Sequence, residues 1–216
     1  MKLKQFFKKL FKRKMTLVFL IIVVIMMIAG ILAPVIAPHD PLEQNLVMKF
    51  SMPSLEYPMG TDNLGRCIFS RILYATRTTL GFSLLCTVLA SVIGITLGVT
   101  AGYKGGVVDM LIMRLCDVLY AFPALVLVMA IVGFIGVGIF NVIIAMLILQ
   151  WLWYARVSRN LAAGESVKSY IAAARLCGAS DTKIIFRHIL PNIIPNMLAI
   201  FTVDFGHTIL AISGYS

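Results

Sequence analysis

The chain has 216 residues, 60% of them apolar and only 13% charged, whereas a soluble domain averages about 45–50% and about 25%. That much apolar surface exceeds what one small soluble core hides, and membrane spans of about 20 residues use it directly; composition speaks against a soluble enzyme and against a disordered chain. The net charge of +10 comes from 19 Lys+Arg against 9 Asp+Glu, with seven of the positives in residues 1–14 and six between Arg156 and Arg187. Such grouping follows membrane topology and offers no stripe for a nucleic-acid backbone.

Residues 1–14, MKLKQFFKKLFKRK, hold seven cations and no acid, and predict a basic cytoplasmic tail within reach of anionic lipid. The apolar run from Met15 to about Ile36 is longer than the h-region of a cleaved signal peptide, so 15–36 is expected to be an uncleaved first transmembrane helix. Residues 37–79 are turn-rich and charge-balanced, with Pro38, Asp40-Pro41, Pro53, Pro58, Gly60 and Gly65, as expected of an external loop. Within it, Ile68, Ile72, Leu73 and Ala75 space out a helix near the membrane interface.

The second apolar run, Leu80 to about Tyr103, carries Gly94, Gly98 and Gly102, small residues that let spans pack closely. Lys104-Gly105-Gly106 then turns the chain, and Val107 to Tyr154 holds apolar material for two spans, with the break expected only at Gly133–Asn141. Arg114 and Asp117 stand three apart, a spacing at which a helix brings them together. Trp151, Trp153 and Tyr154 followed by Arg156 and Arg159 match an aromatic belt at the inner interface. Two short helices fit the polar stretch 156–191: about Val167–Cys177, stopped by Gly178, and about Asp181–His188 with Ser180 as N-cap. Pro191 and Pro195 are expected to open a fifth span ending near Ile212. The sum is an all-α membrane protein of five spans, N-terminus in the cytoplasm. Its cysteines, Cys67, Cys86, Cys116 and Cys177, form no zinc or redox spacing and are expected to be small buried hydrophobes. No GxxxxGK[ST] loop is present, so the chain itself binds no ATP by that device.

Ordered loops as long as 156–191 are usually functional. Its alternatives are an amphipathic helix resting on the membrane and, from Ala172, Ala173, Ala174, Gly178 and Ala179, a small-residue face docking into a partner's groove. The stretch from Tyr170 through Ala173, Ala174, Gly178 and Ala179 to Leu190-Pro191-Asn192 resembles the EAA loop of ABC-importer permeases, with Ala172 where many members have Glu and His188 where many have Ile. Gly60-Thr-Asp-Asn-Leu-Gly-Arg66 through Ser70-Arg71 resembles the GTDxxGRDxxSR signature of the dipeptide/oligopeptide/nickel branch, with Cys67 in place of Asp. Gly106, Asp109, Met113-Arg114, Asp117 and Phe122-Pro123 resemble that branch's GxxDxxxMRxxDxxxxFP stretch.

The resemblance implies the C-type permease of such an importer. Its ABC type-1 transmembrane domain would cover 80–216, with a cytoplasmic coupling loop at 156–191. The implied partners are a second permease subunit, two cytoplasmic ATPase subunits that use the ATP, and an external substrate-binding protein, in a bacterial inner membrane. This chain would bind no cofactor and catalyse nothing. Members of the family continue past the equivalent of Ser216 to a sixth span, so the sequence reads as C-terminally truncated. Coupling falls on Ala173, Ala174, Arg175, Gly178, Ala179, Leu190 and Pro191. Arg175, Lys183 and Arg187 either pair with acids on the ATPase or are ordinary inner-face positives.

Asp204 and His207 stand three apart in the last span, and ionisable groups at membrane depth are functional candidates. They are expected either to hydrogen-bond each other as a packing pair or to line the substrate pathway, with His207 a candidate metal contact. Asp204-Phe-Gly-His207 resembles the fifth-span DxGH of nickel-importer permeases, which points to nickel as a chelate. A peptide cargo is the alternative. A membrane-embedded enzyme built on Asp204/His207 and a non-transporting scaffold or inactive fragment are the readings from other classes.

Overall fold

The computed structural model describes residues 14–136 and 138–215; the basic tail expected at 1–14 falls almost wholly outside them. Among the described residues the ordered elements are helical: α1 (Lys14–Ile31), α2 (Ala33–Ile36), α3 (Ile68–Lys104), α4 (Gly106–Tyr120), α5 (Ala124–Ile135), α6 (Ile139–Ser166), α7 (Ser169–Leu176), α8 (Asp181–Ile184), a π-helical turn (Ile185–Ile189) and α9 (Leu190–Tyr215). The chain divides into two compact units, residues 1–81 and 82–216.

In the first unit the Gly60–Arg71 motif is a knot around one carboxylate. Asp62 Oδ1 accepts from the backbone N–H of Leu64 (2.8 Å) and Arg66 (3.0 Å). Its Oδ2 accepts from Arg66 Nε (2.8 Å) and from Arg71 Nη1. Burial works to raise the Asp62 pKa, but these donors outweigh it and hold the carboxyl down at about 2, so the knot keeps its charge into strongly acidic solution. Gly65 takes a φ of +72° against the Asn45 carbonyl, where a Cβ would sit 2.5 Å from Asn45 C; glycine is the residue that tolerates both demands. Cys67 is buried beside the Thr61–Cys67 bridge.

Among the described residues, three helical stretches are long and apolar enough to cross a membrane: α3, α6 and the run Asp181–Gly214. A fourth is formed if α4 and α5, bent by 85° at their junction, make one span, and the shorter apolar helix Leu17–Ile31 lies at the edge of the described residues. The membrane-protein, all-helical class stands, and the count of five spans stays an expectation. Hydroxyls within these helices bond back to the preceding turn, as from Thr96 to Val92 O and Thr100 to Thr96 O (both 2.7 Å), which satisfies polar side chains inside apolar segments.

Four boundaries depart from the sequence reading. The interface helix and the second span are one 37-residue helix, α3, about 55 Å long at 1.5 Å per residue; no Gly or Pro interrupts Ile68–Leu80, so the pattern had no stop signal. A second break, besides the one at Gly136, falls at Ala121–Pro123. Pro123 has φ −58° and ψ 127°, and its missing N–H and ring end the helix before it. Helix α6 runs on through Arg156 to Ser166, so much of the polar stretch 156–191 is simply helix. Pro191 and Pro195 open no separate span. The π turn lets the Leu190 N–H reach Ile185 O, and Asn192 Nδ2 donates to His188 O (2.8 Å); the wider turn absorbs the donor that Pro191 lacks and the helix continues.

In the second unit α3 packs on α6 through Gly94, Gly98 and Gly102. A Cβ at Gly94 would lie 2.9 Å from Ala155 N and closer still to Trp151 O and Tyr154 Cβ; one at Gly102 would lie 3.0 Å from Ala163 N. Ser158 Oγ donates across the gap to Gly94 O (3.2 Å). Helix α4 is tied to α6 by two ion pairs: Asp109 with Arg159, and Asp117 with Arg156 (2.7 Å). Asp117 therefore pairs across helices, with Arg156 on α6, and not with Arg114 on its own helix.

Candidate functional site

Two features of the second unit have the making of a site. The first is the connection from α6 to α8. Helix α7 is anchored by Ile171, fully buried with Val99, Tyr103, Ala162, Ile184, Ile189, Ile193 and Met197. Burying such a side chain is worth about 1.5–3 kcal/mol. A hydrogen-bonded chain braces its start: Lys168 Nζ donates to Glu165 Oε1 (2.5 Å), Tyr170 OH donates to Glu165 Oε2, and Asn192 Nδ2 donates to Tyr170 OH (2.9 Å). The neighbouring Glu165 holds the Lys168 ammonium pKa above its ordinary value.

At its end, Ala179 N–H bonds to Ala174 O (3.0 Å) and Gly178 N–H to Arg175 O (2.9 Å), with Gly178 at φ +78°. This is a Schellman cap, and the left-handed residue is the glycine. Ser180 Oγ accepts from Lys183 N–H (3.4 Å) and caps α8.

The coupling residues named from sequence separate into two sets. Ala174, Ala179 and Leu190 pack inward against the Ile171 cluster. Ala173, Arg175, Gly178 and Pro191 are exposed. Arg175 lies over the Tyr103 ring at 5.0 Å, and Tyr103 OH donates to Asp181 Oδ1 (2.7 Å), so this cation is held by its own chain. Sequence reasoning missed Leu176, 90% exposed at the tip of α7, and Phe186, 67% exposed on the π turn. Both are large apolar side chains held outward on a braced connection, a pattern that makes a surface a candidate for contact.

The second feature lies where α3, α6 and α9 meet. Gln150 Nε2 donates to Asp204 Oδ2 (2.5 Å) and Thr208 Oγ1 (2.7 Å), Gln150 Oε1 accepts from Cys86 Sγ (3.0 Å), and Tyr154 OH donates to Asp204 Oδ2 (2.9 Å). Thr87 Oγ1 adds a contact to Thr208 Oγ1 (3.3 Å). Asp204 and His207 do not bond each other; Gln150 and Tyr154 take the carboxylate, and His207 stands exposed one turn on. Tyr154, read as part of an interfacial belt, is fully buried because its hydroxyl belongs to this network. Gln150 went unnoticed from sequence, although a lone Gln in AMLILQWLWY is the sort of isolated polar residue in an apolar run that signals an internal partner. Asp204, His207 and Trp153 line two cavities of ≈ 280 Å³ and ≈ 550 Å³. No cluster of three His, Cys, Asp or Glu suited to a metal occurs among the described residues. Of the cysteines, Cys67, Cys86 and Cys116 are buried as expected and Cys177, in the α7 cap, is exposed.

Residues 94–216, which hold the α7 connection and the Gln150, Tyr154, Asp204 and Thr208 members of the network, match the family model described as binding-protein-dependent transport system inner membrane component. This chain belongs to that family. Residues 2–53 match a second model, the N-terminal TM domain of oligopeptide transport permease C.

Among its relatives, the nickel transport system permease protein NikC of Escherichia coli (strain K12) is 36% identical over 179 residues, covering 83% of this chain and 65% of the relative. The metal-staphylopine import system permease protein CntC of Staphylococcus aureus (strain NCTC 8325 / PS 47) is 38% identical over 186 residues, or 86% and 64%. The glutathione transport system permease protein GsiD of Escherichia coli O6:K15:H31 is 42% identical over 164 residues, or 76% and 54%. The chain thus spans between about half and just under two thirds of the relatives it matches. Membership in the permease family accounts for apolar helices joined by a braced polar connection. The three relatives name three different cargoes, so kinship alone leaves this chain's cargo open.

Proposed function

We propose that this chain is a permease subunit of an ATP-driven, binding-protein-dependent importer in the bacterial inner membrane, and that its cargo is nickel carried as a small chelate. The observation that carries the reading is α7: a short helix held by Ile171 and a Schellman cap, presenting Ala172, Ala173 and Leu176 outward, in a chain of the inner-membrane component family. In this reading the 166–181 connection lies in the cytoplasm, as does the N-terminus, and seats on one of two ATPase subunits. ATP is bound by those subunits and none by this chain. A second permease subunit completes the pathway and an external binding protein delivers the cargo.

Mechanically, α8, the π turn and α9 form one helical run, Asp181–Gly214. A displacement of α7 by a closing ATPase passes through the Ile171–Ile184–Ile189 packing into the helix that carries Asp204. Side chains packed at crystal-like density transmit such motion with little loss.

Kinship to NikC supports nickel and kinship to the metal-staphylopine permease CntC supports a metal cargo, together with Asp204 and His207 on cavity walls. Kinship to GsiD supports a peptide as the second reading. Uptake of radioactive nickel and of a labelled dipeptide, compared in cells with and without the gene, separates the two. Nickel uptake is expected to fall to background in the deletion and to return on complementation, with dipeptide uptake unchanged; the reverse pattern overturns the nickel assignment.

A further inference from the structure

Resting on the permease reading, we infer that Asp204 is a recognition station for cargo bearing positively charged N–H groups. Both hydrogen bonds to its carboxylate, from Gln150 and Tyr154, end on the same oxygen, Oδ2. Oδ1 has no hydrogen-bond partner among the described residues, and Asp204 lines both cavities. No ion pair compensates the carboxylate among those residues either. Arg156, on the same helix as Gln150 and Tyr154, is spent on Asp117 (2.7 Å) and on the Tyr120 ring, 4.3 Å from its centroid.

The two neutral donors fix the carboxylate's orientation and leave its charge intact. A carboxylate at membrane depth without a counterion is costly, and a passing cation lowers that cost. Trp153, half-exposed, lies on the wall of both cavities and supplies an aromatic surface of the kind that stabilises cations. His207 adds an imidazole one turn along the same helix. Among the described residues, Asp204 and His207 are the only His, Cys, Asp or Glu lining either cavity, and two such donors are too few to take a metal from its chelator. The chemistry that fits is an N–H donor carrying positive charge, which an ammonium group and a metal-coordinated amine both possess. Gln150 and Tyr154 are positioning residues: they leave Oδ1 bare and aimed.

The test uses the complete importer with the full-length chain in ATP-loaded proteoliposomes. Four probes are compared: nickel with a diamine chelator, nickel citrate, a dipeptide with a free N-terminus, and its acetylated form. Asp204→Asn keeps an acceptor for Gln150 and Tyr154 and puts an amide donor in place of Oδ1. Its uptake of the amine-bearing probe that the wild type transports is expected to drop roughly tenfold or more, the size of one lost charge-assisted hydrogen bond, and which amine probe is affected tells coordinated amine from ammonium. Co-purification of the ATPase subunits with the variant and its thermal unfolding in detergent should match the wild type, which shows the variant is folded and assembled; loss of assembly together with uptake assigns Asp204 a structural role and overturns the inference. Unchanged uptake in Asp204→Asn, or an equal drop for the amine-free probes, overturns the inference and leaves the permease reading standing. Absence of wild-type uptake of all four probes overturns the permease reading and the inference with it.

Discussion

Gly98→Leu is expected to abolish the folded, membrane-inserted protein. At Gly98 even a Cβ would strike Ala155 O and Ser158 Oγ, with Ala155 C at 2.9 Å, and both carbonyl atoms belong to the α6 backbone, which has no rotamer to change. Overpacking at side chains costs about 1–3 kcal/mol; a clash with backbone forces the helices apart and loses more. Separation would also break the Ser158–Gly94 hydrogen bond and open the packing of Ala90, Leu152, Tyr154 and Ala155. Association of helices in lipid depends on such close approach because no hydrophobic force drives it. Immunoblots of the membrane fraction and thermal unfolding in detergent read the result. Gly164→Leu, on α6 with nothing within 4 Å of the added Cβ, should accumulate normally.

Leu176→Asp is expected to leave the chain inserted at normal levels and to stop transport. Leu176 is 90% exposed at the tip of α7 and supports none of the core, so the substitution costs the isolated chain little. In the assembled importer the same side chain would be buried against the ATPase, where an unpaired carboxylate costs several kcal/mol and therefore lowers ATPase association by two or more orders of magnitude. Co-purification of the ATPases with the tagged permease, alongside uptake, measures both. Retained association and uptake would remove Leu176 from the coupling surface.

Much of the architecture was legible because lipid demands long apolar runs and their lengths can be read directly. The Gly94–Gly98–Gly102 stripe and the Gly178 cap were likewise visible, each because one residue type suits a tight steric demand. What escaped were features decided by partners distant in the chain. Asp117 chose Arg156 on α6 over Arg114 on its own helix, and Asp204 chose Gln150 and Tyr154 over His207; spacing along a helix says which residues share a face and nothing about what approaches that face. The prolines misled in both directions. Pro123 broke a run that looked continuous, while Pro191 was absorbed by a π turn that periodicity does not encode.

The site followed the same division. Sequence reasoning expected the coupling residues on the 156–191 connection, and the packing puts Ala174, Ala179 and Leu190 on its inner side while leaving Leu176 exposed.

Cys177 is the exposed cysteine in a chain whose other three, Cys67, Cys86 and Cys116, are buried, and it sits in the cap of α7 beside Leu176. A membrane-impermeant maleimide applied to oriented vesicles therefore reports directly on the face that α7 presents. Cys177 is expected to be labelled in inside-out vesicles stripped of the ATPases, unlabelled in right-side-out vesicles, and protected when the ATPases are restored. Labelling from the external side would contradict a cytoplasmic α7.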